Sequence, residues 1–396
     1  MTAAPRPKNL LFQGLQVFQG ERLKQAREAQ GLTMTTLADR IGKSKQAISR
    51  YESGADRPSS EVVITLSDTL DQPVGFFYQP LREGEDRTVT FFRRLKRVTA
   101  PELRRASAWQ RWLEDLSLFL EEYVSFPELD LPTDFLSLLA TDNVDLTIID
   151  DAALRLRKHW RLGLGPIEHL TRTVESHGIL VSRFDVGADD IDGYSFYSSS
   201  GRGIIALNDY KTNYFRSRFD LSHELGHLLL HRQVMPAELN DDRIYERLEK
   251  QAHRFASALL LPAGPLLQEA ESIDLDSLLL LKKRWGVSIG AIAHRLLDLE
   301  VIEQEDFVRI RKNLVRRKWN KREPLDFSTD PEATVAFPQA VQVLLSEADF
   351  TKNDICADLI RSPESIRRVG NLPLDFFKEP DELVEVHSKN LQLTTG

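Results

Sequence analysis

Residues 219–231 read FDLSHELGHLLLH and contain the run His223-Glu224-Leu225-Gly226-His227. On an α-helix, residues four apart lie about 40° apart around the axis and roughly 6 Å along it. His223 and His227 therefore project one above the other and can offer imidazole nitrogens to a single ion. Glu224 follows directly, angled so that its carboxylate can reach a water on that ion. Two neutral nitrogen ligands, a Lewis acid and a carboxylate base are the parts of a zinc hydrolase. The bland alternative is a buried helix with hydrogen-bonded histidines. Burying two histidines and a glutamate on a helix that otherwise reads LxxLLL costs several kcal/mol unless something pairs them, and a metal is the economical partner.

Zinc needs a third protein ligand and keeps one position open for chemistry. The next helical stretch, RLEKQAHRFASALLLP, supplies Glu249, and its apolar residues Leu248, Ala252, Phe255, Ala256 and Leu259 would pack on the first helix. His253 stands four residues after Glu249, on the same side, where it can orient a ligand. His231 extends the first helix's histidine row by one turn, which suggests contact with substrate or with a developing oxyanion.

Outward from this helix, the chain has 396 residues, more than one ordinary core accommodates, so two to four domains are expected. Its net charge of −8 means that any nucleic-acid contact must come from a local basic patch. Cys356 is the single cysteine, which excludes an intramolecular disulfide framework and a cysteine-rich zinc module. No signal-peptide core and no apolar stretch of about 18 residues occurs, so a cytoplasmic protein without a membrane span is expected.

The apolar spacing divides the chain into five parts: an N-terminal arm (1–16), an all-helical unit (17–80), a helical linker (81–145), a body of helices around a small sheet (146–300) and a mixed C-terminal region (301–396). The whole is mainly α with a small β-sheet, α+β in class. In the all-helical unit, Gly31, Gly42 and Gly54 end successive helices, and Thr33 and Ser44 cap the second and third. The third helix, KQAISRYE, turns Ala47, Ile48 and Tyr51 inward. Ser44, Lys45, Gln46, Ser49 and Arg50 are left as candidate DNA contacts, a set suited to the major groove. Within 21–60 there are eight Lys/Arg against five Asp/Glu, a local reversal of the chain's sign. The run Arg93, Arg94, Lys96, Arg97 could add phosphate contacts or be a solvated linker face. An amphipathic helix over about 101–124, with Trp109, Trp112, Leu113, Leu116 and Leu120 at helical spacing, is a candidate dimer interface or plain core. In the body, ILVSRFDV, YSFYSSS and GIIALN read as strands. Residues 325–396 carry no clear pattern, and a sensor or dimerisation role follows from position alone.

Two resemblances sharpen this reading. RFDLSHELGHLLLH followed by E-x-Q-A-x-x-FASALLLP, with the upstream DxDGYSF run (Asp190, Asp192, Gly193) and IIALN ending at Asn208, resembles the ImmA/IrrE family of gluzincin-like metallopeptidases, which cleave repressor proteins. The resemblance implies His223, His227 and Glu249 as zinc ligands and Glu224 as general base. The family has Asn or Asp where this chain has His253. TMTTLADRIGKSKQAISRYESG resembles the Xre/lambda-repressor-like helix-turn-helix family, which implies a double-stranded DNA operator and a homodimer. Together they imply a DNA-binding regulator with a zinc-dependent endopeptidase body, its substrate a repressor or other regulatory protein in a stress or mobile-element response. The competing readings are a non-proteolytic repressor whose metal is structural or sensory, and an antitoxin-like regulator acting through a protein partner. Glu224 separates the peptidase reading from the structural-metal one, because a structural site needs no base beside its ligands; nothing in the sequence excludes the antitoxin-like reading.

Overall fold

The computed structural model describes residues 17–81, 90–92, 98–132, 146–188, 190–209, 213–235 and 238–378. The expected N-terminal arm, the basic run at 93–97 and the chain beyond 378 lie outside the described residues. Among those described, no helix is long and apolar enough to cross a membrane.

The head is built from α1 (Gly20–Ala29), α2 (Met34–Arg40), α3 (Lys45–Glu52) and α4 (Ser60–Leu70), closed by a 3-10 turn at Val74–Tyr78. The side chains of Thr33 and Ser44 cap α2 and α3 by accepting from Thr36 N and Ala47 N, which satisfies N–H groups that the first turn leaves open. The connection between α2 and α3 passes through Gly42 at φ 64°, a left-handed conformation that glycine adopts without strain. Inside the head, Arg27 pairs with Glu52, both buried.

A four-stranded sheet in the order β1-β3-β4-β2 forms the centre of the molecule. Its strands are β1 (Thr90–Phe92), β2 (Leu180–Phe184), β3 (Gly193–Tyr197) and β4 (Gly203–Asn208). β3 and β4 form an antiparallel hairpin, β2 lies parallel to β4, and β1 pairs antiparallel with β3. Successive side chains on a strand point to opposite faces, and here the two faces serve different cores. Leu180, Tyr194, Phe196, Ile204 and Ala206 join one cluster, while Val181, Ile205 and Leu207 join the other.

The first cluster holds the head, α5 (Ala100–Tyr123) and the C-terminal helices α14 (Ala336–Glu347), α15 (Lys352–Leu359) and α16 (Pro363–Val369). The stretch read as a linker is thus a central helix, with Trp109, Trp112, Leu113, Leu116 and Leu120 all buried. Trp109 Nε1 donates to Ala29 O of the head at 3.1 Å. Gln72 Nε2 donates to Ser365 Oγ at 2.8 Å, and the Arg361 guanidinium stacks over Phe76 and Trp112. The C-terminal stretch that showed no sequence pattern carries these three helices and seats the head against the sheet.

The second cluster holds α6 (Leu146–His159), α7 (Leu170–Ser176), α8 (Tyr214–Leu230), α9 (Asp242–Leu260), α10 (Ala263–Glu269), α11 (Leu275–Trp285), α12 (Ile289–Asp298) and α13 (Gln304–Arg316). Asp150 on α6 accepts both guanidinium branches of Arg254 on α9, at 2.8 and 2.7 Å, and Arg295 of α12 at 2.9 Å. Charge-assisted pairs of this kind fix orientation as well as distance, and here they lock α9 against its neighbours.

Candidate metal centre

α8 is capped by the Asn213 side chain, which accepts from Arg216 N, and it lies across β3 and β4 with α9 beside it. Gly226 makes the close approach of α8 to α9 possible. A Cβ there would stand 3.0 Å from Phe255 Cδ1 and 3.3 Å from Ala252 Cα. Gly193 plays the same part on the sheet side, where a Cβ would meet Ala206 O at 3.0 Å and Glu224 Cγ at 3.4 Å. The glycine inside the quoted motif is therefore a packing residue.

This packing brings His223, His227 and Glu249 together, each offering a donor atom within 4.8 Å of the others. His223 Nε2 and His227 Nε2 are 3.1 Å apart. Glu249 Oε2 is 3.4 Å from the first, and Oε1 is 3.3 Å from the second. Ligands about 2.0 Å from a tetrahedral zinc ion lie roughly 3.3 Å from one another, so the three separations fit one small cation. His223, Glu224 and His227 are each 1% exposed, and Glu249 is half-buried.

The surrounding hydrogen bonds set the tautomers. Gln251 Oε1 only accepts, so His231 Nε2–H donates to it at 2.9 Å. His231 Nδ1 then accepts from His227 Nδ1–H, also at 2.9 Å, which turns the His227 Nε2 lone pair towards Glu249. A proton on that nitrogen would make His227 a buried imidazolium, whereas a shared cation satisfies all three acceptors. Burial, reinforced by His227, pushes the His231 imidazole well below its ordinary pKa, so it is neutral.

The other expected residues fall as follows. Glu224 accepts a 2.8 Å hydrogen bond from Ser195 Oγ of β3. His231, expected to touch substrate, is 3% exposed and lies behind His227 against the ring nitrogen opposite the cluster. His253, expected to orient a ligand, has its ring between Phe219 at 4.9 Å and His294 at 4.8 Å. It lines a cavity of about 650 Å³ with Asp192, Phe219, Asp220, Phe307 and Trp319. Asn208 donates to Ala188 O and Ile191 O and so holds the loop that leads into β3. Ser195 and Gln251 went unread as site residues, although both lie inside quoted motifs, one after Asp192-Gly193 and the other two residues after Glu249. On the head, Ser44, Lys45, Gln46, Ser49 and Arg50 are all exposed, and Arg50 lies 3.5 Å from Asp56.

Comparison with known proteins agrees with this division. Residues 174–297 match the IrrE N-terminal-like domain, a peptidase family. Residues 23–77 match a helix-turn-helix family. An uncharacterized transcriptional regulator in the ATPase CF(0) region of Rhodospirillum rubrum is 38% identical over 68 residues, 17% of this chain and 63% of that protein. An uncharacterized HTH-type transcriptional regulator of Rickettsia prowazekii is 29% identical over 77 residues, 19% of this chain and 59% of that one. The chain thus spans less than two thirds of the length of these relatives. With buried histidines on α8 and an exposed α3, it joins an Xre-like helix-turn-helix domain to an IrrE N-terminal-like domain.

Proposed function

We propose that the protein is a DNA-binding transcriptional regulator whose IrrE-like body is a zinc-dependent endopeptidase, and that it cleaves a repressor or another regulatory protein in the cytoplasm. The observation that carries this reading is the cluster itself: three convergent donors at the edge length of a zinc tetrahedron, with Glu224 following His223 on the same helix. His223, His227 and Glu249 would hold the ion. When bound, zinc supplies a Lewis acid that polarises a carbonyl and acidifies water. Glu224 takes the proton of the attacking water and returns it to the departing amine. Ser195 fixes the Glu224 carboxylate, while His231 and Gln251 fix the tautomer and ring plane of His227. The cavity walled by Phe219, His253 and Trp319 receives part of the substrate. Ser44, Lys45, Gln46, Ser49 and Arg50 contact an operator as part of a homodimer.

Elemental analysis of purified wild type, His223→Ala and Glu224→Gln proteins tests the assignment. Near-stoichiometric zinc is expected in wild type and Glu224→Gln, and its loss is expected in His223→Ala. A wild-type protein that takes up no zinc when supplied with it would remove the peptidase reading and leave a DNA-binding regulator.

A further inference from the structure

Residues 309–322 read RIRKNLVRRKWNKR, eight Lys/Arg with no Asp or Glu, in a chain whose net charge is −8. They form the C-terminal half of α13 and the segment after it, and all eight basic side chains are exposed. A helix C-terminus favours cations, but that effect fades beyond the last turn, and the basic run continues past the end of α13 at Arg316. Neighbouring acids neutralise little of the charge. Arg309 pairs with Asp306 and Arg317 with Asp276, both at 2.6 Å. Lys312, Arg316, Lys318 and Lys321 make no ion pair among the described residues. Crowded like charges repel one another and destabilise the compact chain, and a polyanionic partner relieves that repulsion.

This surface runs into the cavity beside the metal centre. Arg311 and Trp319 line that cavity together with Phe219 and His253. Arg216 of α8, which also lines it, donates to Lys321 O at 3.3 Å. Two kinds of polyanion suit exposed arginines and lysines, a nucleic-acid backbone and an acidic polypeptide. Within the cavity the sign reverses, because Asp192, just before β3, and Asp220, one turn before His223, line the same space. A nucleic acid is negative at every phosphate and is repelled along that path, whereas a polypeptide can change sign from one residue to the next. Nor is the surface a continuation of the DNA face of α3. α13 belongs to the core on one face of the sheet, and the head belongs to the core on the other.

Resting on the peptidase reading above, we infer that the face of α13 bearing Arg309, Lys312 and Arg316, with residues 317–322, docks an acidic stretch of the protein substrate. The adjoining segment of that substrate then enters the cavity beside the metal centre. Arg309 and Arg316 are about 10 Å apart along the helix axis, the span of roughly four residues of extended chain. Exposed charge pairs are individually weak and are screened by salt, so selectivity comes from their number.

The test uses the full chain carrying Glu224→Gln, with a fluorescein-labelled octaglutamate peptide as probe and a Gly/Ser octapeptide as neutral control. Binding is read by anisotropy at low salt, with unlabelled duplex DNA in excess to occupy α3. Octaglutamate should bind where the neutral peptide does not, and added salt should weaken it. The combined variant Lys312→Glu, Arg316→Glu and Lys321→Glu should bind octaglutamate about tenfold more weakly or worse, with duplex DNA affinity and melting unchanged. The corresponding glutamine variant removes charge without reversing it, should fall between the two, and reads the same effect if charge reversal unfolds α13. Equal affinity in the parent and both variants, or no binding to the parent, overturns the proposal. Displacement of octaglutamate by duplex DNA, with DNA affinity lost in the charge-reversed chain, also overturns it and makes the surface a phosphate-binding one. With Glu224 restored and zinc loaded, octaglutamate should raise the KM for casein at unchanged kcat, and this effect should vanish in the charge-reversed chain. A KM that octaglutamate leaves unchanged overturns the proposal as well. A chain that binds octaglutamate as expected but hydrolyses no casein overturns the peptidase reading alone.

Discussion

α3 and α8 are both helices recognisable from a few residues, yet they are built on opposite terms. On α3 the candidate contacts Lys45, Gln46, Ser49 and Arg50 are exposed, while Ile48, Tyr51 and Glu52 anchor the helix on its buried side. On α8 the residues of interest are themselves core: His223, Glu224 and His227 are each 1% exposed, and every residue from Leu221 to Leu230 is buried. The first helix offers chemistry to a partner supplied from outside. The second must pair polar groups inside the protein, where an unsatisfied donor or acceptor costs about 1–3 kcal/mol. Substitutions on α3 should therefore change binding alone, whereas substitutions on and around α8 should change metal, chemistry and stability together, except where a polar group is exchanged for its own isostere.

Glu224→Gln is that exception and carries the largest expected effect. The amide keeps the shape, and its carbonyl can still accept from Ser195, but it cannot take a proton. Turnover of an unfolded protein such as casein should fall by about 10²- to 10⁴-fold, with zinc content and melting temperature held. A variant that still cleaves at more than a tenth of the wild-type rate would remove Glu224 from the reaction. Gly226→Val should cost about 2–3 kcal/mol, because the new Cβ meets both the Phe255 ring and the Ala252 backbone. Denaturant unfolding measures it, and zinc content should fall in parallel as α8 and α9 separate. Unchanged stability would mean that the helix contact is looser than the geometry requires.

The contrast also explains what could be read in the sequence. The quoted histidine run and the Thr33 and Ser44 caps are local signals, since helix geometry alone places their side chains, and the three body strands announce themselves by composition and flanking turns. Glu249 lies on a second helix, yet the apolar face of α9 shows which side meets α8. The roles of His231 and His253 depend on neighbours remote in sequence. His231 turns towards Gln251, twenty residues on, and His253 packs against His294. Ring direction within a helix row is set by such partners, so spacing placed both residues near the site without fixing what they touch. The helix over 101–124 showed its apolar stripe, but not that the stripe lies between the head, the sheet and the C-terminal helices. α14 to α16 are short, and their seats on α5 and on the head exist only after folding.

Gln251→Ala gives an intermediate effect that probes this long-range part of the site. Without the Gln251 acceptor, His231 no longer has a fixed tautomer, and His227 loses the partner that directs its Nε2 lone pair inward. Zinc affinity should fall about 10- to 100-fold, measured by competition with a chromogenic chelator. Because Gln251 touches no proposed ligand directly among the contacts described, an unchanged affinity would show that the relay through His231 does not orient His227.

The smallest effects belong to α3, and they test whether the two regions are independent. Lys45→Ala should weaken binding to all DNA sequences alike and lower the salt slope by about one. Gln46→Ala should cost about 1–3 kcal/mol at a single base pair, the loss expected when a bidentate contact to adenine disappears. Both are measured by fluorescence anisotropy on an operator selected from random duplex DNA, over a range of salt. Neither side chain is buried, so melting should stay within about 0.5 kcal/mol of wild type, and zinc content should be unchanged. The head is seated through Ala29, Gln72 and Phe76, away from this face. If Lys45→Ala released zinc or shifted melting, the recognition helix and the metal centre would be coupled through that seat, and the division between an exposed interface and a buried site would fail.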